Sequence, residues 1–135
     1  MTPLPDLDDP LMAPHWAAAR DGQLAMQRCA ACAYVRWPAT RACPECLVDG
    51  GEWTSLSGAG AIWSYVVYPT ALHPTFEGQC PYAVALVRLD EGPMIHGRIE
   101  GDPAGLACEQ RVTVVFREVA PGVHIPRFRP KPADA

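Results

Sequence analysis

Two closely spaced pairs of cysteines constrain this chain more than any other feature. Cys29 and Cys32 form one Cys-x-x-Cys pair, Cys43 and Cys46 form another, and ten residues separate the pairs. Because each pair presents two thiolates on one side of a tight turn, two pairs can close a tetrahedral zinc site. Two disulfides or a redox pair are the alternative, which a reducing compartment disfavours. We therefore predict a structural zinc ribbon over residues 23–52, with no open coordination position.

The N-terminal residues indicate a cytoplasmic location. Residues 1–10 are acidic and rich in proline, without the basic and apolar stretches of a secretory signal. The longest run without a charged residue, 53–76, is interrupted by glycine and proline and is not expected to span a membrane as a helix. We expect a cytoplasmic protein that makes no membrane contact.

The order of predicted elements favours a mainly β protein. Pro14 suits a first helical turn and Gly22 suits a helix end, so residues 1–22 read as an arm followed by a short helix. Residues 53–130 are expected to form the β domain, and residues 131–135 a tail. Within the β domain, apolar, β-branched segments are separated by proline and glycine turns. They predict strands over 60–68, 82–89, 94–100, 111–119 and 123–128.

A helical turn expected over 102–107, between the third and fourth of these strands, gives the element order of a five-stranded OB-fold barrel. A five-stranded sandwich is the alternative. The proline in the last strand indicates an edge position.

Charge limits the binding partners. The chain has 11 basic and 15 acidic residues, a net charge of -4, which opposes general binding to a phosphate backbone. Several arginines nevertheless lie in or beside the ribbon, and arginine suits bidentate contact with phosphate. A solvated surface is the simpler interpretation of each one. As a group they form a candidate site for a phosphorylated ligand, consisting of Arg28, Arg36, Trp37 and Arg41.

Candidate catalytic residues are scarce. The sequence contains no nucleophile elbow, zinc-protease motif or phosphate-binding glycine loop. Cys80 has His73 seven residues upstream, but no third group is evident to orient such a pair. Cys108 stands alone. We predict no catalytic residue, and an independent enzyme using Cys80 is the least favoured of the functions considered.

The chain resembles a family first catalogued as a domain of unknown function. The resemblance rests on the ribbon segment GQLAMQRCAACAYVRWPATRACPEC, on EWTSLSGAGAIWSYVVY and CPYAVALVRLDEGP, and on the C-terminal RVTVVFREV and HIPRFRP. It covers about residues 11–130. It implies an N-terminal helix, a rubredoxin-like zinc ribbon and a C-terminal OB-fold, with Cys29, Cys32, Cys43 and Cys46 as the zinc ligands. The usual glycine after the second ribbon cysteine is Ala33 here, so a left-handed backbone there would be strained.

The resemblance also implies a function. Members of the family are associated with thiolase-like enzymes, including lipid-transfer-type aldolases, or with MaoC-type hydratases, as accessory subunits that help to bind coenzyme A thioesters. Lipid and steroid side-chain degradation are among their settings. We therefore expect a hetero-oligomeric accessory subunit that is not catalytic alone, with structural zinc and an acyl-CoA ligand. A single-stranded nucleic-acid-binding OB-fold, with Trp63, Tyr65 and Tyr68 as stacking surfaces, is the alternative, and the acid excess leads us to predict no nucleic-acid partner.

Overall fold

The computed structural model describes residues 4–131, and its first secondary-structure element is one short helix. This helix, α1, spans Ala13–Arg20 and has a proline in its first turn, where a missing N–H costs no hydrogen bond. Gly22 follows it with a φ of 75°, a left-handed conformation that glycine adopts without strain. The predicted helix is confirmed. Residues 1–3 of the predicted arm and 132–135 of the predicted tail lie outside the described residues.

Three short strands form the ribbon. They are β1 at Leu24–Arg28, β2 at Val35–Arg36 and β3 at Glu52–Leu56. All pairing is antiparallel, and β1 lies in the middle of the sheet. The predicted boundary between residues 52 and 53 falls at the start of β3, whereas the strand pairing continues the ribbon sheet to Leu56.

Strand β1 is buried on both faces. Leu24 and Met26 are buried in the same apolar core as the barrel side chains. Between them, the Ala25 carbonyl accepts a hydrogen bond from Nδ1 of His15, at 3.0 Å, which ties α1 to the ribbon. Ribbon and barrel therefore share one continuous core.

The rest of the chain forms a closed five-stranded barrel, as the sequence predicts. The strands are β4 at Ala59–Tyr68, β5 at Tyr82–Leu89, β6 at Met94–Ile99, β7 at Arg111–Ala120 and β8 at Val123–Pro130. Their order around the barrel is β4-β5-β6-β8-β7. Closure excludes the open sandwich.

The contact between β6 and β8 closes the barrel through little pairing. These strands are parallel and pair only at Ile99 and Phe128, whereas β8 pairs with β7 along most of its length. Phe128 is fully buried and packs over Gly97, where an added Cβ would lie 2.6 Å from its ring. The predicted edge position of the last strand is wrong, because β8 lies between β6 and β7 in the closed barrel. Pro126 is accommodated because β8 pairs with β6 only at Phe128.

The predicted helical turn over 102–107 is wrong: these residues form turns and no helix. The Asp102 carboxylate accepts a hydrogen bond from the Ala104 N–H, and Gly105 has a φ of 86°, which interrupts any right-handed helix. Leu106 is buried here, and its carbonyl accepts a hydrogen bond from the Tyr65 hydroxyl. A turn anchored by Leu106 therefore occupies the position expected for the OB-fold helix.

A search of residues 4–131 for a helix long and apolar enough to cross a membrane finds none.

Candidate functional site

The two cysteine pairs form two matching turns. In the first, the Ala33 N–H donates to the Cys29 carbonyl at 2.9 Å, and in the second the Leu47 N–H donates to the Cys43 carbonyl at 2.8 Å. Ala33 and Leu47 have nearly equal φ values of 65° and 66°. Two local sequences therefore adopt one turn geometry and direct their thiols to a common point.

The four thiols lie at metal-binding distances. The Sγ atoms of Cys29, Cys32, Cys43 and Cys46 all lie within 4.8 Å of one another, and all four cysteines are free of disulfides. The Cys29–Cys46 and Cys32–Cys43 Sγ separations are 3.5 and 3.6 Å. Ligands about 2.3 Å from a tetrahedral zinc ion would be about 3.8 Å apart, so the geometry fits zinc.

The electrostatics of the cluster also fit a divalent cation. Backbone N–H groups of Cys32 and Ala31 lower the pKa of Cys29 to about 6, which favours a thiolate. At Cys32, lowering by the Tyr34 N–H is outweighed by burial and by neighbouring thiols, which raise the pKa to about 12. Four thiolates at these separations would repel one another unless a positive charge lay among them, and a bound metal would supply that charge.

The residues predicted to contact a phosphorylated ligand do not form one exposed group. Arg36 is only 2% exposed, and its guanidinium donates to the Gln27 side chain and to the carbonyls of Thr40 and Gly50. It holds the ribbon loops together and presents no free surface to a phosphate. Arg28 and Arg41 are exposed.

Trp37 is half-buried and packs on the ring of His15, with 4.4 Å between ring centroids. The contact of Arg28, Trp37 and Arg41 with coenzyme A stays a prediction.

The isolated cysteines have no catalytic arrangement in the described structure. The Cys80 thiol lies 3.8 Å from the Phe76 carbonyl, while Nδ1 of His73 accepts from the Thr75 N–H. Each member of the hypothetical Cys–His pair thus has a different partner. Cys108 is exposed in a turn.

The aromatic residues considered as nucleic-acid stacking surfaces are separated by their roles. Trp63 is 49% exposed and lies under the Arg88 guanidinium, whereas Tyr65 packs against the core and donates to Leu106. Tyr68 stacks on Tyr82 at 5.1 Å. They do not form a single platform.

A groove on the barrel was not predicted from the sequence. It has a volume of about 330 Å³. Its lining includes Tyr68, Leu72, Phe76, Tyr82, Arg98 and Arg127. These residues come from separate strands and a loop, so their spacing along the chain does not indicate that they meet.

Comparison with known families divides the chain near the start of β3, a few residues before the ribbon sheet ends. Residues 16–51 match the family described as ChsH2, rubredoxin-like zinc ribbon domain, and residues 53–117 match ChsH2, C-terminal OB-fold domain. A DUF35 domain-containing scaffold protein from Methanothermobacter thermautotrophicus is 38% identical over 96 residues, which are 68% of this chain and 70% of the relative. The chain belongs to the DUF35 family.

Other relatives extend the comparison. A DUF35 domain-containing scaffold protein from Methanocaldococcus jannaschii is 35% identical over 94 residues, 68% of this chain and 66% of the relative. A probable enoyl-CoA hydratase alpha subunit from Thermomonospora curvata is 36% identical over 114 residues, 84% of this chain. The chain spans only 35% of the length of that hydratase subunit.

Solved DUF35 structures share the whole architecture. A chain of the Ltp2-ChsH2(DUF35) aldolase superposes with a TM-score of 0.84 at 33% identity, over 93% of this chain and 98% of that one. A DUF35 protein of unknown function from Sulfolobus solfataricus superposes with a TM-score of 0.67 at 16% identity, over 91% and 87% of the two chains. The second likeness shows the fold alone.

Proposed function

We propose that this DUF35 protein is an accessory subunit of an acyl-CoA-processing complex. It binds a thiolase-superfamily enzyme, a thiolase or a retro-aldol lyase, and helps to bind the coenzyme A thioester. The observation that carries the proposal is the likeness, over nearly the full length of both chains, to a chain of the Ltp2-ChsH2(DUF35) aldolase. Lipid or steroid side-chain degradation is the proposed setting.

The four-cysteine site favours a structural role for the metal and not a catalytic one. Four cysteine thiolates would fill the coordination sphere of zinc and leave no position for water or substrate. Bound zinc would then supply folding energy to the ribbon, and the work of this chain would be to present surfaces to its partner.

Exposed apolar side chains supply such surfaces on both halves of the molecule. Leu47 and Val48 are 77% and 44% exposed on the second cysteine turn. Trp63 and Val66 are 49% and 54% exposed on β4. Apolar side chains concentrated in this way are typical of protein contact surfaces. We propose that the barrel packs on the enzyme, with the ribbon and α1 nearer the acyl-CoA entrance, where Arg28 and Arg41 meet phosphates.

Co-expression with a thiolase-superfamily protein followed by gel filtration tests the proposal. A stable hetero-oligomer is expected, with at least about 1,000 Å² buried in total. The isolated chain should show no thiolase, aldolase or hydratase turnover, and the enzyme alone should be poorly active or insoluble. Turnover by this chain alone, or full activity of the enzyme without it, contradicts the proposal.

A matched pair of variants locates the surface. Val66→Glu places a charge on the exposed face of β4 and should weaken the complex by at least about tenfold, because the carboxylate would be desolvated without a partner. Val66→Thr keeps the shape and the β propensity, and should retain most of the affinity. Equal affinity for both variants would exclude this face of β4 from the interface.

A further inference from the structure

The barrel groove lies where the long loop 69–81 folds over the outer ends of β5, β6 and β8. Leu72 and Phe76 reach it from the loop, and Pro126 is contributed by β8. Its volume of about 330 Å³ is in the range of small-molecule sites, at the lower end. A groove of this size accommodates one compact ligand.

Two arginines on neighbouring strands give the groove its charge. Arg98 and Arg127 each precede the residue that forms the single parallel bridge, Ile99 and Phe128 respectively. Because side chains alternate along a strand and the bridge residues are both buried, the two arginines project together to the opposite face. No carboxylate is among the described residues that line the groove.

The two arginines repel one another. Arg98 donates a hydrogen bond to the Gln79 side chain, whereas Arg127 is incompletely paired. Burial lowers the pKa of Arg127, and the positive charge of Arg98 lowers it further. The buried Nε of Arg127 has no hydrogen-bond partner within the described part of the chain. Glu100, the acid that acts on Arg127, is itself engaged by Arg117. An anion in the groove would relieve this repulsion.

Aromatic rings adjoin the arginine pair. Tyr82 stacks with Tyr68 and with Phe76, at 5.1 Å in each case. The Arg98 guanidinium lies 4.7 Å from the centroid of the Tyr82 ring. Planar ligands are bound by such rings and by guanidinium planes. Tyr82 is itself buried, so the half-buried rings of Tyr68 and Phe76 would provide the stacking surface beside the cationic site.

We propose that this groove binds an organic phosphate of nucleotide size, with its phosphate between Arg98 and Arg127 and its planar ring on the aromatic cluster. A free nucleotide and the nucleotide end of coenzyme A present this same chemistry. In the second case the inference rests on the proposed function, and it adds a phosphate contact on the barrel to those proposed for Arg28 and Arg41 on the ribbon.

Isothermal titration of the full chain with ADP, adenosine, inorganic pyrophosphate and coenzyme A tests the proposal. ADP should bind at least about tenfold more tightly than adenosine, because the charged group contributes most of the affinity. Arg98→Gln and Arg127→Gln should each weaken ADP by at least about tenfold. Arg88→Gln removes the same charge outside the groove and should leave ADP binding unchanged. Tighter binding of coenzyme A than of ADP identifies the coenzyme as the source, and equal binding identifies a free nucleotide.

A second pair of variants avoids the partly buried arginine. Leu72 is 77% exposed at the groove, so its replacement does not disturb the core. Leu72→Glu should weaken ADP by at least about threefold through charge repulsion, while Leu72→Gln should not.

Three results would overturn the proposal. They are no binding of ADP, pyrophosphate or coenzyme A at millimolar concentration, binding that survives both arginine variants, or tighter binding of oligo(dT) than of ADP through the same arginines. The titration needs no partner enzyme, so its failure leaves the test of complex formation intact, and the reverse also holds.

Discussion

At the scale of single residues, both cysteine turns contain conformational strain in the residue that follows the second cysteine. Ala33 and Leu47 hold left-handed backbone angles with φ near 65°, although both carry a Cβ. Such a conformation costs an L-residue about 1–2 kcal/mol relative to the right-handed region. Ala33, which stands where the family usually has glycine, therefore has the strained left-handed backbone.

Ala33→Gly should raise the free energy of unfolding by about 1 kcal/mol, since glycine adopts this backbone freely and only part of the gain is lost to the more flexible unfolded chain. Urea denaturation of the zinc-loaded protein measures it. Ala30→Gly, an exposed neighbour without a positive φ, is the control and should destabilise slightly. A loss of stability in Ala33→Gly equal to that of the control would contradict the strain argument.

His15 is a second residue whose environment should affect the free energy of unfolding. It is fully buried between the rings of Trp16 and Trp37, and its Nε2 has no hydrogen-bond partner among residues 4–131. Burial lowers the pKa of His15, against a smaller raising effect of the bond to the Ala25 carbonyl. The folded protein therefore binds a proton at this site less readily than the unfolded chain does.

Stability should accordingly decrease as the pH falls below about 6.5, the value for an unfolded histidine, because the unfolded state then takes up the proton. The loss approaches about 1.4 kcal/mol per pH unit until His15 itself becomes protonated. Urea denaturation between about pH 7.5 and about pH 6 measures this dependence. His15→Asn keeps a donor for Ala25 without a titrating group, and shares any effect of pH on zinc. An identical pH dependence in this variant would show that His15 is not responsible.

The site residues differ in how far the sequence reveals them. The four zinc ligands follow from local spacing, because each Cys-x-x-Cys pair sets its own turn. Arg36 was grouped with Arg28 and Arg41 by proximity along the chain, but spacing does not show that its side chain turns inward to Gln27. Arg98 and Arg127 meet only through a parallel pairing of distant strands, for which neither segment carries a local signal.

At the scale of elements, the strands were predicted within a few residues, because alternation and turn residues mark them directly. The helical turn over 102–107 failed for a physical reason. An aspartate and a glycine that suit a helix terminus also suit a series of turns, and burial of Leu106 decides between them. The sequence predicts the order of the strands but not which of them pair, because pairing joins segments that are distant along the chain.

Strand β6 depends on the absence of a side chain at one position. Gly97→Ala should lower the free energy of unfolding by about 1–3 kcal/mol, because the added Cβ would overlap the Phe128 ring. Thermal or urea denaturation provides the measurement. Phe128→Leu alone should also destabilise, but the double variant should be more stable than the sum of the two changes predicts, since a smaller side chain leaves room for the methyl. Strict additivity would show that the two residues do not conflict.

At the scale of the whole molecule, the ribbon sheet is small and should need its metal to fold. Metal analysis should find about one zinc per chain, and Cys43→Ala should unfold the ribbon, because structural zinc contributes on the order of 10 kcal/mol to folding in small peptides. Atomic absorption and circular dichroism check the two statements. Cys108→Ser removes an exposed thiol outside the cluster and should leave zinc content and fold unchanged. A fully folded ribbon without metal would contradict the assignment.

The double burial of β1 bears on how such a chain is inherited. Family comparison divides it into two domains, yet Leu24 and Met26 belong to the same core as Ile62 and Phe128. A gene fusion that carried the barrel alone would expose the apolar surface that β1 covers. A fusion that carried the ribbon alone would expose the side chains of Leu24 and Met26 to water. Ribbon and barrel are therefore expected to be transferred between proteins together. The longer Thermomonospora curvata relative, matched over 84% of this chain, is consistent with transfer of both halves together.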